Sequence, residues 1–528
     1  MDKIDLKWKS IGHLLEDAAR KHENNPLFYF EGNRLTYSEV NSKVNQVANL
    51  FKKYGIHKGD NVSVMLPNGF DFPITWLALG KIGAVMVPTN LNYKEHDLTY
   101  ILTNSEASSI VIHSDYLPEF KKIIKDVPAL KNIFVLGDVP DKYLNYRELA
   151  NQASDQFKIE DVGENDLINI QYTSGTTGFP KGCMLTHRYW LIFGELASEF
   201  FEANPKEDVN LTAQPFYYMD PQWNTVLCLM KGISLVIMHR FSPSKFWQAI
   251  KEYNVTFFYV LGTMPFYLLN LEPNPELEQN HKLRFVICSG IVPQYHETFE
   301  KRWNVPWREA FGMTETGIDL VVPIEDTASV GSGGMGAPVR TKEAKVINEK
   351  GDELPVGEIG ELVIRGDKMM LGYWKNPEAT NKFFNGGWAH TGDLAYKDER
   401  GYFHWVGRIK DMVRRSAENI STAEVEGVLM EHDKIKLAAV VPVPDQLRGE
   451  EVKAYVVLKE GESKETLPPE EIITFAKSKL AYFKVPRYIE YVEDLPLTPS
   501  EKVAKHKLIA AKEDLRKDSY DGVEKKWH

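Results

Sequence analysis

Cysteine is scarce in this 528-residue chain: Cys183, Cys228 and Cys288 are the whole supply, and no two share a paired spacing. That excludes a disulfide framework and a cysteine-rich zinc site, and it fits a reducing compartment. There is no basic excess either. Lys and Arg number 63 against 74 Asp and Glu, a net charge of -11, which argues against nonspecific binding to nucleic acid or an anionic membrane and leaves small anionic ligands open. The opening MDKIDLKWKSIGHLLEDAARKH is charged throughout and lacks an apolar core of signal-peptide length, so a cytosolic location is expected. The ending EKKWH is not a peroxisomal address. One uncharged run, Tyr253 to Leu271, nears the length of a membrane span. Asn254, Gly262, Pro265 and Asn270 interrupt it, and Val255 to Leu261 carries the β-branched and aromatic residues of a buried strand, so strand, turn and helix are expected. Internal repeats and low-complexity segments are also lacking.

What is present is alternation. Apolar β-type runs take turns with amphipathic helical ones: Asn61 to Leu66 then Phe72 to Gly80, Ala107 to Ile112 then Leu117 to Lys125, Ser234 to Met238 then Pro243 to Tyr253, then Phe285 to Cys288. This predicts βαβ units around parallel sheets, and the length predicts two to four structural units. From about Val339 short strands separated by Gly-rich and Asp-rich turns predict a small antiparallel, barrel-like part. Near Arg408 the texture changes again to a compact α+β part: helices over Ala423 to Met430 and Glu470 to Leu480, strands over Leu437 to Pro442, Val452 to Leu458 and Tyr488 to Val492.

The most informative stretch is Ile170 to Gly182, IQYTSGTTGFPKG. It follows the apolar run Leu167 to Tyr172 and precedes a helical pattern from Thr186 to Phe201. A strand, a glycine loop and a helix make a phosphate-binding arrangement, because glycines let backbone N–H groups approach an anion and hydroxyls add donors. The Walker A order is absent, since Lys181 is followed by Gly182.

YTSGTTGFPKG resembles the signature of the adenylate-forming superfamily, which includes acyl-CoA and aryl-CoA synthetases, firefly-type luciferases and peptide-synthetase adenylation domains. Further motifs follow in the family's order: Phe311-Gly312-Met313-Thr314-Glu315, Trp388 to Asp393 (WAHTGD), Gly407 to Asp411 (GRIKD) and Pro496 to Lys502 (PLTPSEK), with Leu35-Thr36-Tyr37 near the start. The resemblance spans almost the whole chain. It implies a large α/β N-terminal domain, residues 1–407, of two doubly wound subdomains plus a small distorted β-barrel. A small mobile α+β domain, 408–528, would follow and carry a catalytic lysine.

The implied reaction activates a carboxylic acid with ATP to an acyl-adenylate, releases pyrophosphate, and passes the acyl group to CoA; ATP, Mg²⁺ and CoA are the implied cofactors and substrates. The carboxylate attacks the α-phosphorus in line, so the enzyme mainly positions groups and neutralises charge. By resemblance, Thr173, Ser174, Gly175, Thr176, Thr177, Gly178 and Lys181 cradle the leaving phosphates. Thr314 meets the α-phosphate region and Glu315 holds Mg²⁺, a hard cation suited to carboxylate and phosphate oxygens. Ser289, Gly290 and Ile291 meet the adenine alongside Phe311, Gly312 and Met313, though the family usually has glycine at Ile291. Asp393 suits a ribose clamp, since one carboxylate accepts from two vicinal hydroxyls, and Arg408 adds a second contact. Lys502 serves the adenylation step, although Glu501 stands where the family commonly has Gly.

Lys410 matches the hinge about which the C-terminal domain turns between the two steps. Ser416, Ala417 and Glu418 match the wall of the CoA channel, with Ala417 where relatives carry Gly. Tyr218 occupies a place usually held by His beside the acyl pocket, and Met219-Asp220-Pro221-Gln222 looks most like the carnitine and crotonobetaine CoA-ligase branch. Tyr217, Tyr218, Trp223, Tyr259 and Gly262 are the expected acyl-pocket residues. Their rings suit a quaternary ammonium, which aromatic faces attract, or simply pack around an aliphatic or aryl acid. The expected activity is therefore an AMP-forming acyl-CoA ligase acting on a small carboxylic acid. Two alternatives stand beside it: an adenylating enzyme that loads a carrier protein, motivated by Ala417, and a non-catalytic acyl or nucleotide sensor, motivated by Glu501 and Tyr218. No nucleic acid or integral membrane partner is expected, and a homodimer is allowed.

Overall fold

A computed structural model describes residues 4–173, 180–205, 207–261, 264–367, 369–416, 418–498 and 503–528, with the side chains of Lys410, Glu418 and Asn419 outside the description. Two compact units emerge: one holds residues up to 332, 336–343 and 364–389, the other 333–335, 344–363 and 390–528.

The larger unit is built on two sheets. The first runs in the order Leu144–Asn145, Asn132–Leu136, Ser109–His113, Asn61–Met65, Val85–Pro88, Leu167–Thr173, Lys181–Thr186. Its strands pair parallel except the last, which turns back antiparallel on Leu167–Thr173. Every residue of Asn61–Met65 is buried, as a parallel strand covered on both faces requires. The second sheet is nine-stranded: Ala337–Pro338, Gly317–Val321, Trp307–Met313, Phe285–Ser289, Phe257–Leu261, Val209–Thr212, Ser234–Ile237, Pro26–Phe30, Asn33–Thr36. Its centre is parallel and its edges antiparallel. Trp247, Phe258, Phe299, Trp303 and Trp307 lie together in one buried cluster under it. The expected βαβ alternation is therefore present. The uncharged run after Tyr253 forms the strand Phe257–Leu261 and the helix Met264–Leu269. Among the described residues no helix is long and apolar enough to cross a membrane.

One expectation needs correcting. The glycine-rich segment does not lead from strand to helix, because Lys181–Thr186 is itself a strand and the helix starts only at His187. Cys183 and Leu185 are buried in that strand, and it pairs with its predecessor from Thr173 opposite Lys181 to Leu167 opposite Thr186. The strands on either side of the segment are thus an antiparallel pair.

In the smaller unit, Ile435–Asp445 and Gly449–Leu458 form a long antiparallel pair. Its sheet also holds Met412–Arg415, Glu418–Ser421, Tyr488–Tyr491, Tyr520–Asp521 and Lys526–Trp527. Val425 and Leu429 of the helix Thr422–Met430 join Val440, Val456 and Ile489 in its core, as do Ile472 and Ala476 of the helix Pro469–Lys479. Phe403–Arg408 runs antiparallel to residues 393–397, which sets Asp393 opposite Arg408.

Candidate functional site

The antiparallel pair puts Thr173 and Lys181 side by side at the two ends of the glycine-rich segment, with the Thr173 hydroxyl 3.5 Å from the Lys181 carbonyl oxygen. Ser174, Gly175, Thr176, Thr177 and Gly178 lie outside the described residues. The Lys181 ammonium sits 5.2 Å from the centre of the Tyr373 ring. The Tyr373 hydroxyl in turn donates to Glu315 Oε1 at 2.9 Å. Glu315 is only 8% exposed. Burial first, and then the Glu315 charge, push the Cys183 thiol's pKa well up, so the thiol stays neutral beside the carboxylate. Lys181, the Tyr373 ring and Glu315 form one chain of contacts.

The loop carrying Thr314 and Glu315 follows the strand Trp307–Met313, which turns back on Gly317–Val321 with a register shift at Phe311 and Gly312. A Cβ at Gly312 would lie 2.3 Å from the Gly317 carbonyl oxygen, so only glycine permits this close approach. The Tyr189 hydroxyl donates to the Thr314 carbonyl at 3.0 Å, and the Thr314 hydroxyl lies 3.5 Å from Met219 Sδ. Below the loop, buried Lys342 donates to the Thr316 carbonyl and pairs with buried Asp319 at 3.5 Å.

Ser289 ends its strand with its hydroxyl donating to the Ala310 carbonyl at 2.5 Å and accepting from Tyr259 at 2.9 Å. The next two backbone N–H groups, of Gly290 and Ile291, both donate to the Glu309 carboxylate, at 2.6 and 2.7 Å. Gly290 has φ +94, a left-handed turn that aims both groups at one acceptor. Burial pushes the Glu309 carboxyl up to about 8, with those two N–H groups pulling against it. The Ile291 side chain is buried in the aromatic cluster.

Of the expected acyl-pocket residues, Trp223 stacks with Phe193 and Phe201 and meets Tyr259 edge-on at 5.6 Å. Tyr217 and Tyr218 lie 4.7 Å apart, with Asn90 donating to the Tyr218 hydroxyl. Gly262 lies outside the described residues.

In the smaller unit Asp393 is 1% exposed, and its Oδ1 receives Arg408 Nε at 2.8 Å and the Trp405 indole N–H at 2.9 Å. Arg408 also donates to the Thr391 carbonyl at 3.1 Å. Lys410 falls in a single 3₁₀ turn, Ile409–Asp411. Ser416 has φ +54 and donates its N–H to the Arg448 carbonyl, and Glu418 begins the strand paired with Met412–Arg415. Ala417 and Lys502 lie outside the described residues.

A family model described as "AMP-binding enzyme" matches residues 15–374, and one described as "AMP-binding enzyme C-terminal domain" matches 424–502. The chain belongs to the AMP-binding, adenylate-forming enzymes. A crotonobetaine/carnitine–CoA ligase from Citrobacter koseri is 33% identical over 95% of this chain and 99% of that one. One from Escherichia coli is 34% identical over 90% and 93%. Among solved structures, the anthranilate CoA ligase AuaEII in complex with anthranoyl-AMP superposes with a TM-score of 0.89 at 25% identity, covering 96% of this chain and 98% of that one. ATP-bound MatB from Rhodopseudomonas palustris gives 0.86 at 28%, covering 96% and 99%.

Three residues of this AMP-binding enzyme escaped the reading of its sequence. Glu309 lies two positions before the Phe311 motif, Trp405 three before Arg408, and Tyr373 in a Gly-Tyr-Trp-Lys stretch outside every recognised motif. The first two border recognised motifs. Tyr373 gave no local signal at all.

Proposed function

We propose that this chain is an ATP-dependent acid–CoA ligase acting in two steps. In the first, a carboxylate oxygen bonds to the α-phosphorus of ATP as the bond to the β-phosphate oxygen breaks, releasing pyrophosphate. In the second, the CoA sulfur bonds to the acyl carbon, its proton is released, and AMP leaves. The single observation that carries this reading is one chain that matches both halves of the family and retains Lys181, Thr314, Glu315, Asp393, Arg408 and Lys502.

Thr173, Lys181 and the loop between them hold the departing phosphates. Thr314, with its backbone fixed by Tyr189, meets the α-phosphate. A buried carboxylate held by a neutral phenol suits a hard divalent cation, so Glu315 would hold Mg²⁺, which offsets phosphate charge. Gly290 and Ile291, set by Glu309, floor the adenine. Asp393, oriented by Arg408 and Trp405, accepts from the ribose. Lys502 meets the charge that develops during adenylation and then withdraws with residues 408–528, turning at Lys410, after which Ser416, Ala417 and Glu418 line the CoA path. A cytosolic location and a homodimer complete the proposal, to be checked by fractionation and sedimentation.

The acid is a small trimethylammonium acid, as the names of the two relatives suggest, with Tyr217, Tyr218 and Tyr259 facing the cation. An aryl or aliphatic acid is the second reading, favoured by Trp223, whose two stacking partners leave its ring less open to a cation. Acid-dependent exchange of labelled pyrophosphate into ATP, run with betaines, fatty acids of graded length and aryl acids, separates them. CoA consumption in the same panel tests the acceptor, and exchange without CoA consumption would overturn the ligase in favour of a carrier loader. Binding without turnover of any acid would favour a sensor.

A further inference from the structure

The segment 370–374 clips two parts of the phosphate site together by its backbone. Leu371 N–H donates to the Met184 carbonyl, Met184 N–H to the Gly372 carbonyl, Trp374 N–H to the Gly182 carbonyl, and Met370 N–H to the Glu315 carbonyl, all between 2.7 and 2.9 Å. The strand leaving the phosphate loop and the loop bearing Glu315 are thereby fixed to one short stretch of chain. These four bonds hold the segment whatever side chain stands at 373. The Tyr373 hydroxyl adds nothing to that clip and is spent on Glu315 Oε1, at 2.9 Å in a buried setting.

We infer that Tyr373 is a positioning residue for the Glu315 carboxylate, fixing the rotamer in which Glu315 meets the divalent cation of bound ATP. This inference rests on the reading of Glu315 as the metal-holding residue. A neutral donor is the right partner for such a carboxylate. A lysine or arginine at that distance would neutralise the charge the cation needs, whereas a phenol orients one oxygen and leaves the net charge intact. Among the described residues no lysine or arginine forms an ion pair with Glu315. The nearby cation, Lys181, lies 5.2 Å from the ring centre. One ring therefore sets both the lysine that ends the phosphate loop and the carboxylate that faces the metal.

Removing only the oxygen tests the inference. Tyr373→Phe keeps the ring that Lys181 meets and the backbone clip. The measurement is a titration of Mn²⁺ into protein with α,β-methylene-ATP, followed by electron paramagnetic resonance, on the wild type, Tyr373→Phe and Glu315→Gln. Binding of the analogue without metal and the melting temperature are recorded for each. The expected result is a roughly 10–100-fold weaker Mn²⁺ affinity in Tyr373→Phe, with metal-free analogue binding unchanged, the melting temperature lowered only by the loss of one hydrogen bond, and pyrophosphate exchange recovering at high metal. Unchanged Mn²⁺ affinity in Tyr373→Phe, with Glu315→Gln weakened, would overturn the positioning role and leave the metal reading standing. Unchanged affinity in Glu315→Gln would overturn the metal reading, and the inference with it. Loss of metal-free analogue binding in Tyr373→Phe would overturn it too, because the tyrosine would then be shaping the phosphate loop instead.

Discussion

Glu315 and Asp393 are both buried carboxylates, and they are neutralised in opposite ways. Asp393 has its cation built in: Arg408 at 2.8 Å, with the Trp405 indole on the same oxygen. Glu315 has a phenol and a neutral thiol for neighbours. Taking a carboxylate out of water without a cation is costly; the Asp393 charge is offset by Arg408, whereas Glu315 forms no ion pair with a lysine or arginine among the described residues. A carboxylate already paired offers hydrogen-bond acceptance and direction. One that is not paired offers charge. Those are the separate needs of the ribose and the metal-bound triphosphate proposed above for these two residues.

The largest test lies in a residue that serves neither carboxylate. Lys502→Ala should cut pyrophosphate exchange by about 10²–10³-fold, the usual loss when one donor to a developing charge is removed, without altering the metal or ribose contacts. Unchanged exchange would remove Lys502 from the adenylation step. That result would shift the burden of charge neutralisation to Lys181 and to the cation proposed at Glu315.

Next comes a matched pair of neutral isosteres. Glu315→Gln should raise the metal concentration needed for exchange by about 10–100-fold with little change in melting temperature, because the amide oxygen still accepts from Tyr373. Asp393→Asn should do the reverse. It leaves Arg408, itself 34% exposed, without its charge partner, which costs about 2 kcal/mol of stability. It should also raise the KM for ATP by roughly tenfold with metal dependence intact. If both variants moved the same observable, the contrast between a carboxylate with an ion pair and one without would fail.

A third carboxylate, half-buried by exposed area, sharpens the comparison through pH. Burial pushes Glu309 up to about 8 from an ordinary 4.5, so the folded protein binds a proton more readily than the unfolded chain. The stability it contributes is fully present below pH 4.5, and it is lost as pH rises through about 8. Thermal unfolding followed between those limits should show the wild type weakening as pH rises. Glu309→Gln should flatten that slope. An identical slope in both would assign the dependence to other groups.

How much of this was legible beforehand divides along the same line. The alternation of apolar runs gave the parallel sheets, since hydrophobic period and strand length are local properties. The ordered motifs named Thr314, Glu315, Asp393 and Arg408, because each sits in a short signature. Their partners were not legible. Tyr373 reaches Glu315 across 58 positions of sequence, and no local pattern records such a contact. The antiparallel strand Lys181–Thr186 was missed for a different reason: its burial runs as intermediate, two buried, intermediate, two buried, without the strict alternation that marks a strand.

The smallest expected effect concerns the thioester step alone. Ala417 comes just after Ser416 at φ +54, in the segment proposed above to line the CoA path. If a methyl group there narrows the path, or resists a dihedral that glycine accepts, Ala417→Gly should speed CoA consumption by about threefold, within the roughly 0.5–1 kcal/mol that separates Ala from Gly backbones. Pyrophosphate exchange should not change, because adenylation does not involve the thiol. The ratio of the two rates is therefore the quantity to measure. A variant that accelerated both would show that Ala417 acts on the turning of residues 408–528 instead of on CoA entry, and one that slowed both would show that alanine is an adaptation of this chain's own loop.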